Sequence, residues 1–261
     1  MKSLSLQTSS IAASMTVSID TLAKKLKAEG KDIVSLGAGE PDFKTPEIIR
    51  NAAKEAIEQG KTKYVAPTGW EEVRKAVANK LQKENGLSYS ANQIVLTSGA
   101  KQAVFNSLAA LINPDDEIII PAPYWVTYPE LVKWFKGVPV FIETTPESAF
   151  KITPEQLKNA ITEKTKAVIL NNPCNPSGAV YSPKELKALS EVIVDNDLFC
   201  ISDEIYEHFC YETEFASIAS FPDMYERTIL INGFSKSHCM TGWRIGYNAL
   251  PETIAPLITK I

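Results

Sequence analysis

Lys236 lies in the run Phe234-Ser235-Lys236-Ser237-His238-Cys239-Met240-Thr241-Gly242-Trp243-Arg244-Ile245-Gly246-Tyr247. The apolar stretch 228–232 before it reads as a buried strand, which puts the lysine just past a strand's carboxyl end. The chain has four arginines, Arg50, Arg74, Arg227 and Arg244, and the last follows Lys236 by eight residues. A lysine so placed can form a Schiff base with an aldehyde, and a guanidinium nearby can clamp a phosphate with paired donors. Asp203, in Ile201-Ser202-Asp203-Glu204-Ile205-Tyr206, follows another short apolar run. Read alone, Asp203 is equally a helix cap or a surface charge.

Three further segments carry polar groups suited to the same ligand. Asn175 sits in Asn171-Asn172-Pro173-Cys174-Asn175-Pro176-Ser177-Gly178, a composition that forces a tight loop. Ser98-Gly99-Ala100-Lys101-Gln102 joins a strand to a helix. Small residues there let backbone N–H groups approach a phosphate at the positive end of the helix. Pro123-Tyr124-Trp125 offers an aromatic face. Each has an ordinary structural reading too: a turn asparagine, a common α/β junction, a core aromatic.

Taken together, the pattern Ser-Lys-(x)3-Met-x-Gly-Trp-Arg-x-Gly-Tyr and the loop Asn-Pro-x-Asn-Pro-Ser-Gly resemble the class I aminotransferases, in particular the aspartate aminotransferase branch of bacteria and plastids. The resemblance runs from about residue 30 to the end and implies pyridoxal 5'-phosphate as cofactor, with Lys236 as its Schiff-base lysine and catalytic residue. It implies a phosphate on the amides of Gly99, Ala100 and Lys101, with Arg244 as the charged clamp and Ser235, the residue before the lysine, as a further phosphate contact. It gives Asp203 the pyridine nitrogen, and Asn175 and Tyr206 the phenolic oxygen. Trp125 stacks on the ring and contacts substrate, Asn175 and the Gly39 backbone bind substrate, and Tyr64 reaches the phosphate of a neighbouring subunit, implying a homodimer. Two positions depart from the family: Gly233 stands where many relatives carry a hydroxyl three before the lysine, and His238 has no assignable role.

The elements that must position these residues alternate strand and helix. Strands are expected at 93–97, 117–120, 138–142, 166–170, 198–201 and 228–232, each apolar and short. Thr153-Pro154-Glu155-Gln156 and Ser182-Pro183-Lys184-Glu185 both read as capping boxes with proline at the first helical position. A further helix is expected around 19–26, and another from Pro251 through Ile258. This alternation predicts an α/β fold with an open, mostly parallel sheet and helices on both faces. The resemblance sharpens it to the large domain of the fold-type I pyridoxal-phosphate transferases, with seven strands. Ligands of such sheets sit beyond the carboxyl ends of the strands. Residues 1–45 are expected to form an N-terminal arm and part of a small domain, and residues 46–261 the cofactor-binding domain. The final helix stops at Ile261 without a cap, so the chain reads as shortened, with the family's main carboxylate-binding arginine beyond its end.

Bulk properties narrow the class. The 261 residues, with 44% hydrophobic and 22% charged content, are ordinary for a globular enzyme. A net charge of -4 gives no reason to expect nucleic acid or an anionic membrane as partner. No apolar run approaches the roughly 18 residues that span a bilayer. The segment 1–20 lacks arginine and is expected not to act as a targeting sequence. Cys174, Cys200, Cys210 and Cys239 lack C-x-x-C spacing, and with two histidines no metal site is expected. Reduced cysteines fit a cytoplasmic enzyme.

The expected activity is transfer of an amino group from an L-amino acid, aspartate first, to a 2-oxo acid such as 2-oxoglutarate. Prephenate, aromatic or alanine substrates, a β-lyase or decarboxylase reaction, and a catalytically impaired cofactor-binding or dimerisation module are the alternatives.

Overall fold

A computed structural model describes residues 3–9 and 11–261. Residues 1, 2 and 10 of the expected N-terminal arm lie outside the described residues. The helices are α1 (Leu6–Ser9), α2 (Met15–Ala28), α3 (Glu47–Glu58), α4 (Glu71–Asn85), α5 (Ala100–Leu111), α6 (Thr127–Trp134), α7 (Pro154–Ala160), α8 (Pro183–Asp195) and α9 (Ala255–Ile258). The strands are β1 (Ile94–Thr97), β2 (Glu117–Pro121), β3 (Val138–Ile142), β4 (Thr165–Asn171), β5 (Phe199–Asp203), β6 (Thr228–Gly233) and β7 (Gly246–Ala249).

The strands form one seven-stranded sheet in the order β1-β7-β6-β5-β4-β2-β3. The strands β2 to β6 pair in parallel, and β7 runs antiparallel to both its neighbours, β1 and β6. Alternation along each strand divides the core into two faces. Ile118, Ile120, Ala167, Ile169, Ile201, Ile229 and Ile231 pack with α5 and α9 on one. Ile119, Val168, Leu170 and Cys200 pack with α8 on the other, where Leu230 and Tyr247 meet α4. These side chains are almost wholly buried, and each Ile or Leu so buried contributes about 1.5–3 kcal/mol. Helices thus cover both faces, as expected for a parallel sheet whose strands read as continuous apolar runs.

Both capping boxes form. Thr153 Oγ1 accepts from the Gln156 amide and Ser182 Oγ from the Glu185 amide, each with proline at the helix start. The last helix is shorter than its apolar pattern suggests: a turn occupies 252–254 and α9 is a single turn of four residues. The segment 32–36 belongs to no helix or strand.

Strand β7, which the apolar pattern alone does not mark, fixes the geometry at the carboxyl ends. A Cβ on Gly246 would lie 2.6 Å from the Ala100 nitrogen and 2.6 Å from the Gly99 carbonyl carbon. A Cβ on Gly233 would lie 2.8 Å from Gly246 Cα and from the Ile245 oxygen. Backbone therefore meets backbone where β6, β7 and the β1–α5 turn converge, and neither glycine can carry a side chain without displacing main chain. The glycine three before Lys236 has a steric cause. Gly246→Ala is expected to destabilise the chain by about 1–3 kcal/mol, whereas Gly242→Ala, with open space around it, should cost less than about 0.5 kcal/mol. Urea unfolding of the two variants side by side measures the difference.

Candidate active site

Parallel register brings the chemistry-bearing ends together. Asp203 is the last residue of β5, paired with Asn171 at the end of β4 and with Ile231 in β6. Lys236 follows β6 by three residues. All open into one cavity of about 850 Å³ beyond the carboxyl ends of the sheet.

Its floor is acidic and buried. Asp203 is 3% exposed; its Oδ2 accepts from the Tyr128 hydroxyl at 2.7 Å and its Oδ1 from the Ile205 amide at 3.3 Å. Burial pushes its carboxyl up to about 6, against the pull of those two donors. Among the described residues no ion pair reaches it. Tyr128, half a turn into α6, is fully buried and was not among the residues that the sequence singled out. Tyr128 follows Trp125 by three, and a turn closed by the Tyr128 amide on the Trp125 carbonyl at 3.0 Å leads into α6 with their rings 5.4 Å apart and edge to face.

Lys236 is half-buried, and its Nζ donates to the Gly39 carbonyl. Burial lowers its pKa, with Arg244 acting the same way and Glu40 opposing. The Tyr206 ring lies 5.9 Å from Nζ. Burial raises the Tyr206 hydroxyl pKa to about 12, with the neighbouring Asn175 side chain opposing the rise. Asn175 is itself held by its loop, its amide donating to Asn171 Oδ1 at 2.7 Å, while Asn171 Nδ2 donates to the Asp203 carbonyl at 2.9 Å. The loop after β4 is thus tied to the end of β5.

The opposite wall is cationic. The first-turn amides of α5, those of Ala100 and Lys101, have no acceptor within the helix. Arg244 adopts a left-handed conformation (φ 57°) after the turn Thr241–Trp243; its Nη1 donates to the Thr241 carbonyl at 2.8 Å. A Cβ on Gly99 would overlap the Arg244 guanidinium. Gly99 has a steric part here: its bare Cα lets Arg244 lie across the helix start, and its amide donates to the Thr97 carbonyl at 2.8 Å. Lys101 Nζ stands 5.9 Å from the Trp125 ring centroid.

Gly39, Trp125, Asn175, Ser235, Lys101 and Ala100 all line this cavity with Asp203, Tyr206, Lys236 and Arg244. Tyr64 does not; it is fully exposed, away from the cavity of its own chain. His238 packs edge to face on Phe234 with its Nδ1 2.8 Å from Ser237 Oγ, a packing role. Residues Met15, Thr16 and Ile19 of α2 add a rim that sequence motifs did not suggest.

The donor set matches a phosphorylated pyridine aldehyde at each end: open amides and a guanidinium, a buried carboxylate without a cation, and a half-buried amine. Comparison with known proteins agrees. The family described as "Aminotransferase class I and II" matches residues 31–261. The chain belongs to this family. It is similar to an aspartate aminotransferase of Bacillus subtilis, 46% identical over 260 residues covering 99% of this chain and 66% of that protein. An aspartate/prephenate aminotransferase of Thermus thermophilus is 44% identical, covering 100% of this chain and 67% of that one. The solved structure of Thermus thermophilus aspartate aminotransferase with maleate superimposes with a TM-score of 0.97 at 45% identity, over 100% of this chain and 68% of that chain. The chain thus spans about two thirds of the length of the aminotransferases it matches.

Tyr128 makes a testable contribution to the aminotransferase cavity. Because Asp203 moves from the ordinary 3.8 to about 6 on folding, the folded chain holds this proton more tightly than the unfolded one. Stability from this group is present at low pH and declines as pH rises from about 3.8 to about 6. Tyr128→Phe removes a donor to the carboxylate, so the decline should extend above pH 6. Urea unfolding of cofactor-free chain at stepped pH, wild type against variant, measures it. Glu204, which burial raises to about 8, is common to both and cancels. An unchanged upper limit contradicts the expectation.

Proposed function

We propose that this chain carries the pyridoxal-phosphate site of an aminotransferase that moves an amino group from an L-amino acid, aspartate, to a 2-oxo acid, 2-oxoglutarate. The observation that carries it is that Asp203 and Lys236 line one cavity: a buried carboxylate with no cation of its own, and an amine whose pKa burial lowers.

Pyridoxal phosphate supplies, when bound, an aldehyde that links to amines and a pyridine ring that draws electrons from the carbon next to them. The chain's residues do the rest. Lys236 holds the aldehyde end. Asp203 balances a proton on the ring nitrogen, an ion pair that offsets the cost of burying its own charge. Asn175 and Tyr206 donate to the phenolic oxygen. Ala100, Lys101 and Arg244 grip the phosphate, with Ser235 adjoining, and Trp125 covers the ring. Once an amino acid has taken its place, Lys236 Nζ is free to take the substrate's α-proton as base and return it as acid. A depressed lysine pKa favours the neutral amine that this requires. In this reading the Gly39 amide, beside the carbonyl that Lys236 touches, donates to the substrate carboxylate.

Support for aspartate is the name of the Bacillus subtilis relative. Relatives of Aquifex aeolicus and Thermus thermophilus named as aspartate/prephenate aminotransferases favour prephenate as a second acceptor. A homodimer is supported by Tyr64, an aromatic fully exposed on this chain, which in this reading reaches the partner's phosphate. In the same reading residues 1–45 are the arm and part of a small domain, and 46–261 the cofactor-binding domain; α2 buries only Ala23 against the rest. The four free cysteines fit a cytoplasmic setting. Among the described residues no helix is long and apolar enough to cross a membrane.

Borohydride reduction of cofactor-loaded protein should fix the cofactor on the peptide containing Lys236, read by mass spectrometry. Lys236→Ala should lose this label and lower turnover of aspartate with 2-oxoglutarate by at least about 100-fold. A label on another lysine, or a variant with wild-type turnover, refutes the proposal.

A further inference from the structure

Glu207 lies across the turn from the cavity, does not line it, and has no part in the site described above. It is 8% exposed. Its carboxylate gathers donors from separate elements: Lys80 Nζ in α4, Asn85 Nδ2 at the end of α4 at 2.9 Å, and Asn232 Nδ2 in β6 at 2.7 Å. His208 Nε2 stands 3.5 Å away. The lysine is also shared with Asn85 Oδ1 at 2.8 Å and Glu84 at 3.5 Å.

The place of this cluster in the chain gives it a consequence. Glu207 immediately follows Tyr206. The turn is closed by the Glu207 amide donating to the Glu204 carbonyl at 3.0 Å and the Phe209 amide to the Tyr206 carbonyl at 2.8 Å. Tyr206 therefore faces the cavity while its neighbour is anchored behind it. Asn232, the other arm of the clamp, stands four residues before Lys236, and its Oδ1 accepts from the Gly233 amide at 2.7 Å. One carboxylate thus ties the turn that carries Tyr206 to the strand end that carries Lys236, and both to α4.

We propose that Glu207 is a positioning residue whose carboxylate sets the placement of the Tyr206 hydroxyl relative to Lys236, and so the strength with which the site grips its cofactor. The inference rests on the cavity being a pyridoxal-phosphate site. A buried carboxylate with charged and amide donors also stabilises the fold, so loss of stability alone does not separate the two roles. Energetic coupling does: a residue acting through Tyr206 loses its effect on binding when the Tyr206 hydroxyl is gone, whereas a general structural effect is additive.

The experiment titrates pyridoxal phosphate into wild type, Glu207→Gln, Tyr206→Phe and the double variant, with dissociation constants read from absorbance and folding checked by circular dichroism. Glu207→Gln should weaken binding by about 10-fold in the wild-type background and by less than about 3-fold beside Tyr206→Phe. Equal losses in both backgrounds, or no loss in the first, overturn the proposal. If Glu207→Gln does not fold, Asn232→Ala replaces it and removes the β6 arm together with the side-chain acceptor of the Gly233 amide, with the same coupling expected and the same additive result decisive against it. Wild-type protein that takes up no cofactor defeats the functional reading itself, a result distinct from any pattern among the variants.

Discussion

A carboxylate buried without a counter-ion is the constraint around which this molecule is arranged. Removing a charged group from water costs several kcal/mol unless partners replace the lost solvation. Asp203 has a phenol and one backbone amide as partners, and its carboxyl rises accordingly to about 6. Such a group favours a cation in the cavity before it. The parallel pairing of β4, β5 and β6 decides what it faces, because the residues just beyond those strand ends, the Asn175 loop, the Tyr206 turn and Lys236, surround one space. In the proposed function a protonated ring nitrogen is that cation, and the buried charge is the one that holds the ring's proton.

The second constraint is close approach. Strand β7 enters the sheet antiparallel between β1 and β6, carrying Arg244 to the start of α5. Three glycines permit it: Gly246 against the amide of Ala100, Gly233 against Gly246, and Gly99 beneath the guanidinium. These contacts bring open helix amides and a fixed positive charge into the cavity that Asp203 also lines.

Much of this was legible in the sequence, for physical reasons. Buried parallel strands must be short and apolar, so β2, β4, β5 and β6 stood out, and their ends located Asp203 and Lys236. Capping boxes at Thr153 and Ser182 marked α7 and α8 because their side chains answer a local need of the helix. What escaped was set by tertiary contact. Strand β7 is four residues long and begins with a glycine, so no apolar period reveals it. Tyr128 reads as a core aromatic until β5 is seen to present Asp203 to its hydroxyl. Glu207 reads as a surface charge until Lys80, Asn85 and Asn232 converge on it from elements far apart in sequence.

The protonation state of the bound ring tests the central claim most directly. Nitrogen-15 resonance of pyridoxal phosphate labelled at the ring nitrogen, bound to the wild-type chain near neutral pH, should show a protonated nitrogen, and Asp203→Ala should move it to the unprotonated position. An unprotonated nitrogen in the wild type, or the same resonance in both proteins, would contradict the account.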